Sequence, residues 1–140
     1  MSQQTYNSKY IGGMAFETKI GEHTIVVDAD PQFGGDEKGP LPKPLLLNSL
    51  AGCTGMDVVS LLKKMRVEFK DLNIKIDAEL TEEHPKYYHK IHLTYSLKAK
   101  EEDRAKVEKA VNYSQERYCG VSFMLSKAAD LTYEIDLQPV

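Results

Sequence analysis

The stretch LLLNSLAGCTGMDVVSLLKKM, residues 45–65, decides how this sequence folds. Apolar side chains stand at Leu45, Leu46, Leu47, Leu50, Met56, Val58, Val59, Leu61, Leu62 and Met65, and so occupy most of the circumference of a helix. A helix that is apolar nearly all round is a buried one. A chain of 140 residues has little else with which to wrap it. Two arrangements remain: a central helix enclosed by its own sheet, or one shared with a second copy in a homodimer. Gly52 and Gly55 flank Cys53 and Thr54 inside this helix. Two glycines cost a helix roughly 2 kcal/mol relative to alanine, which close approach of another element or a substrate channel would offset.

Immediately upstream, residues 30–44 hold Pro31, Gly34, Gly35, Gly39, Pro40, Pro42 and Pro44. That density of breakers predicts an irregular loop, and a loop of this length is expected to border a functional cleft and to be mobile. Before it, residues 14–20 and 23–29 read as two strands around Gly21-Glu22, a pair suited to a type II′ turn. Downstream, Leu72, Ile74, Ile76, Ala78 and Leu80 alternate with Lys75, Asp77 and Glu79. Ile91, Leu93, Tyr95, Leu97 and Ala99 repeat the pattern, with Pro85 marking the turn between these two half-buried strands. Residues 101–118 read as a second helix, acid-rich at its start as the helix dipole favours and ended by Gly120. A short helix over residues 121–129 and a strand over residues 131–137 complete the chain. The order β-β-α-β-β-α-α-β predicts one α+β domain over residues 1–140 with mainly antiparallel sheets.

Hydrophobic residues make up 41% and charged residues 28%, as in an ordinary globular protein, and the net charge is −3. That charge repels nucleic acid and anionic membranes, so neither is expected as a partner. The first ten residues are polar and lack the basic and apolar regions of a signal peptide. Asn48, Ser49, Thr54, Asp57 and Ser60 interrupt the apolar residues 45–62 and argue against a membrane span. A cytoplasmic location is expected.

Two side chains stand out for chemistry, Cys53 and Cys119. Disulfides do not persist in a reducing cytosol, so each is either a small buried hydrophobe or a reactive thiol. Cys53 lies inside the apolar helix, where it gains little from the dipole and needs a nearby cation to become a ready thiolate. Cys119, in Arg117-Tyr118-Cys119-Gly120-Val121-Ser122, falls at a junction between helices, where the start of the second is expected to lower its pKa. Their separation of 66 residues (119 − 53) excludes a CxxC motif but not a pair in space. His23, His84, His89 and His92 are expected to be scattered surface residues. His89 and His92 point to opposite faces of a strand, so no metal site is expected. No phosphate loop, HExxH or GxSxG is present, and no cofactor is expected.

Gly39-Pro40, residues 45–50, Ala51-Gly52-Cys53-Thr54 and Asp57-Val58-Val59 together resemble the first-cysteine motif of the OsmC/Ohr family. Tyr118-Cys119-Gly120-Val121-Ser122 is similar to its second, with Gly120 where the family often has proline. The resemblance spans nearly the whole chain. It implies an intertwined homodimer that reduces small organic hydroperoxides, with Cys53 as the peroxidatic and Cys119 as the resolving residue. A dithiol, such as a lipoylated protein, would restore the enzyme. The family's peroxidases carry an arginine and a glutamate that stabilise the first thiolate. Here the positions before Leu45 hold Lys43 and Pro44, and no arginine precedes Arg66. Lys38 or Lys43 would have to supply the charge. The competing reading is a non-catalytic dimer of the same fold that binds a small apolar ligand near Cys53.

Overall fold

Alternating strands pair as their patterns dictate, in two separate three-stranded sheets. The structure, a computed structural model, describes residues 2–140. The chain divides into two compact units, one running to Asn48 and the other from Ser49 to Val140.

In the first unit β1 (Ser8–Tyr10), β2 (Phe16–Ile20) and β3 (His23–Val27) form an antiparallel meander. Strand β1 was not foreseen; three exposed residues carry no alternation to read. Gly21 takes φ 62 while Glu22 does not enter the left-handed region, as a type II′ turn requires.

The segment after β3 is more ordered than its proline and glycine content predicts. Pro31–Phe33 forms a 3-10 turn, and Asp30 caps it by accepting the Gln32 N–H at 2.8 Å. Asp28, only 2% exposed, accepts the N–H groups of Ala29, Asp36 and Lys38 at 2.7, 3.1 and 3.1 Å. These bonds hold its carboxyl below the usual carboxylate range, the Ala29 N–H contributing most. Gly35 and Gly39 pass so close to the Ala29 and Val26 carbonyls that a Cβ would collide with them. Pro42 and Pro44 belong to the next helix, not to the loop: a proline is tolerated in a first turn, where its missing N–H has no intrahelical partner to lose.

Helix α1 (Pro42–Lys64) therefore starts three residues before the predicted position. Arg66, at φ 57, ends it in a Schellman motif, with Val67 N–H on Leu62 O and Arg66 N–H on Lys63 O at 2.9 and 3.1 Å. Helix α1 is long and apolar enough to cross a membrane by length and composition, so its polar interruptions do not settle that question. Packing assigns one face instead. Leu50, Thr54, Val58 and Leu62, spaced four apart, are buried, while Met56 is 74% exposed. One sheet face covers only one side of a helix, so a single chain leaves much of the apolar circumference uncovered.

The second sheet has β5 (Tyr88–Ala99) between β4 (Phe69–Leu80) and β6 (Asp130–Pro139). Strands β4 and β5 are antiparallel, but β5 and β6 run parallel from Lys90↔Asp130 to Ala99↔Pro139. The intervening helices return the chain to the end where β5 began, which makes the last pair an exception to the antiparallel expectation. The inward residues of β5, namely Ile91, Leu93, Tyr95, Leu97 and Ala99, form the core with Val107, Ala110 and Val111 of α2 (Arg104–Tyr113). The predicted helix over residues 101–118 is three segments: a 3-10 turn Glu101–Asp103, α2, and a π turn Ser114–Tyr118. Gly120 opens α3 (Gly120–Ser126) instead of closing the helix before it.

Candidate functional site

Cys53 projects from the middle of α1 and is half-buried. Gly55, two positions on, sits where a Cβ would lie 3.2 Å from Ile74 Cδ1, so this glycine lets the helix approach β4. Nothing lies within 4 Å of the corresponding point on Gly52. Gly52 opens onto a groove of about 710 Å³, which Gly55, Met56, Val59, Leu72 and Ile74 also line.

Cys119 reaches the same region by a different route. The π turn closes with the Cys119 N–H donating to Ser114 O at 2.8 Å. Cys119 then leaves helical geometry at φ −80, ψ 98 and caps α3, its sulfur accepting the Ser122 N–H at 3.3 Å. Both thiols are free. The two residues are neighbours: the Cys53 thiol acts on the ionisation of Cys119. Burial is the main cause that pushes the Cys119 thiol above its ordinary pKa. The Ser122 hydroxyl and N–H oppose this, and Cys53 adds to it. The helix start that was expected to lower this pKa is thus outweighed by desolvation. The Ser122 hydroxyl, buried beside the sulfur, falls short of full hydrogen-bond geometry with any partner.

A largely buried polar chain links three elements, α1, β5 and the π turn. Gln115 Nε2 donates to the Tyr95 hydroxyl at 2.6 Å, and Tyr95 meets Thr54 Oγ1 at 2.7 Å. Thr54 meets Ser114 Oγ at 2.7 Å, and Ser114 donates to Asp57 Oδ2 at 2.9 Å. Each hydroxyl has one proton. Ser114 gives its own to Asp57, so Thr54 must donate to Ser114 and Tyr95 to Thr54. Every proton in the chain points toward the Asp57 carboxylate. Burial raises the Tyr95 pKa, partly offset by its bonds to Thr54 and Gln115, with Cys119 adding a smaller upward push.

As site residues the sequence points to both cysteines but not to Tyr95, Ser114 or Gln115, and Thr54 and Asp57 enter it as interruptions of the apolar helix and as members of the first-cysteine motif, with no polar role of their own. Their signal was present: polar residues one and four positions after Cys53, the second one helical turn away, in an otherwise apolar helix. Other expected contributors lie elsewhere. Arg117 stacks over the Tyr113 ring at 5.0 Å. Lys43 precedes Cys53 by ten residues on the same helix, about 15 Å of rise, beyond the reach of its side chain. His89 pairs with Glu79 at 3.3 Å, while His92 bonds Thr132 at 2.7 Å and Glu134 at 3.2 Å, all on the sheet surface.

This pairing of a cysteine borne on a long apolar helix with one at a π-turn exit defines a class. The family model for OsmC-like protein matches residues 35–134. The chain belongs to the OsmC-like protein family. Protein YhfA of Escherichia coli strain K12 is 34% identical over 131 residues, which cover 92% of this chain and 94% of that protein. A crystal structure of an Aquifex aeolicus VF5 protein superimposes with TM-score 0.79 at 30% identity, covering 99% of each chain. The organic hydroperoxide resistance protein OhrB of Bacillus subtilis shares the fold at TM-score 0.60 and 21% identity, over 95% of this chain and 98% of that one.

Proposed function

We propose that the chain is a thiol peroxidase for organic hydroperoxides. The observation that carries the reading is the meeting of Cys53 and Cys119, far apart in sequence and adjacent in space. The Cys53 thiolate attacks the distal peroxide oxygen, the O–O bond breaks, and an alcohol leaves as Cys53 becomes a sulfenic acid. The Cys119 thiol attacks that sulfur, a disulfide forms, and water leaves. Two electrons have passed from the two thiols to the peroxide. A dithiol then returns them and is itself oxidised to a disulfide. The groove beside Gly52, lined mainly by apolar side chains and adjoining Cys53 without including it, supports an alkyl hydroperoxide over hydrogen peroxide as substrate.

We also propose that the active form is a homodimer whose second copy covers the open face of α1. The support is the exposed apolar flank, Met56 above all, since monomeric proteins seldom leave such a contiguous surface open. Light scattering should give twice the chain mass of 15.8 kDa; the single-chain mass at micromolar concentration would refute the dimer.

Consumption of cumene hydroperoxide with dihydrolipoamide as reductant tests the enzyme reading. Turnover by the native protein and none by Cys53→Ser supports it. The second reading, a non-catalytic protein that binds a small apolar ligand, rests on the same groove and on the absence of an arginine before Arg66. It prevails if the native protein consumes peroxide no faster than a free thiol.

A further inference from the structure

We infer that Ser114 is the positioning residue for the Cys53–Cys119 pair, tying the turn that carries one cysteine to the helix that carries the other. This deepens the proposed reading and rests on the two cysteines forming a redox pair, but not on peroxide being the oxidant. Ser114 is held at both ends. Its carbonyl accepts the Cys119 N–H at 2.8 Å and so closes the π turn on that residue. Its hydroxyl accepts from Thr54 and donates to Asp57, at 2.7 and 2.9 Å, and those two residues stand one and four positions after Cys53. One residue, by its side chain and its carbonyl, therefore bridges from the helical turn after the first sulfur to the backbone hydrogen bond of the second.

The arrangement is specific to this turn. A π turn inserts an extra residue into a helix, is rare, and recurs at functional sites. Here it delays the exit of the chain from the helix to Cys119, the residue beside Cys53. Ser114, Thr54 and Tyr95 are each 0% exposed, so water does not replace a lost bond easily. Without the bridge, the π turn has no polar tie to α1 through Ser114, and Cys119 samples more positions relative to Cys53. Disulfide closure depends on how much of the time the two sulfurs are within bonding geometry. Loosening the turn should therefore lower the effective concentration of one thiol at the other.

The test equilibrates the full-length protein with mixtures of reduced and oxidised dithiothreitol. One protein thiolate opens the reagent's disulfide, the second displaces reduced dithiothreitol, and two electrons and two protons leave the protein. Ser114→Ala should reduce the equilibrium constant for closure about tenfold, a potential less negative by about 30 mV. Leu137→Ala, which removes buried side-chain volume from β6 without touching the bridge, should leave the potential at the native value although it lowers stability. Asp57→Asn, which keeps an acceptor for Ser114, should restore most of the native potential. If circular dichroism shows that Ser114→Ala does not fold, Thr54→Val breaks the same bridge from its other end and should shift the potential in the same direction. A native potential in the folded bridge variant, or an equal shift in Leu137→Ala, overturns the inference. A native protein that forms no disulfide at any dithiothreitol ratio overturns both the inference and the redox-pair reading. If the disulfide forms with dithiothreitol but peroxide does not produce it, the peroxidase reading fails and the inference stands.

Discussion

Cys53 and Cys119 stand side by side, yet their surroundings oppose one another. Cys53 is half-buried within α1, between a glycine that opens onto a groove and a threonine that faces the core. Cys119 is 4% exposed, caps a short helix, and has its thiol pushed up in pKa mainly by burial. The contrast fits the division of labour in the proposed cycle. A thiol that attacks a peroxide from solution must be reachable and must ionise. A thiol that resolves a sulfenic acid meets its partner inside the protein, so burial costs it no access, and a raised pKa protects it from direct oxidation.

That contrast can be broken most sharply by removing one sulfur at a time. In the proposed cycle Cys53→Ser loses peroxide consumption altogether. Cys119→Ser should consume one equivalent and stop at a sulfenic acid on Cys53, which a dimedone probe traps. Equal activity in the two variants would erase the proposed difference in role. The same variants each retain one thiol, and iodoacetamide at pH 8 should label Cys53 at least about tenfold faster than Cys119, because burial shields the Cys119 thiol and raises its pKa.

A smaller effect tests the largely buried polar chain. Tyr95→Phe leaves Thr54 with only the long 3.5 Å bond from Gln115 as donor and should lower stability to urea by about 1–2 kcal/mol, while labelling of Cys53 stays unchanged. The least effect is expected from pH. Cys119 holds its proton more tightly in the folded than in the unfolded reduced protein. Its contribution to stability is therefore complete below the ordinary thiol pKa and is lost as pH rises through the folded one. Labelling of Cys119 should keep rising beyond about pH 10, where that of an unperturbed thiol of pKa about 8.5 has levelled off. A plateau at the ordinary thiol pKa would contradict the role assigned to burial.

How far the site could be read from the sequence follows from how locally each part is encoded. The helix around Cys53 and the alternating strands β4 and β5 were legible because periodicity is a local property. The start of α1 was misplaced because Pro42 and Pro44 signal breakage everywhere except in a first turn, where they are allowed. The segment after β3 looked structureless, yet Asp28 gathers three of its N–H groups. A carboxylate that organises residues up to ten positions later has no periodic signature. The π turn was beyond reach for the same reason: Ser114 bonds Thr54 and Asp57, 60 and 57 positions away, and nothing near Ser114 announces it. The two glycines of α1 divide instructively. Both line the groove, where the proposed substrate or second copy would lie, but only Gly55 has a packing reason, its approach to Ile74.

The most direct test of the central claim is the intact mass of the reduced protein after a slight excess of cumene hydroperoxide, followed by peptide mapping without reductant. The account predicts a loss of two hydrogens, about 2 Da, and a linked peptide joining Cys53 to Cys119 within one chain. An unchanged mass, or oxygen added to Cys53 while Cys119 remains a free thiol, would contradict it.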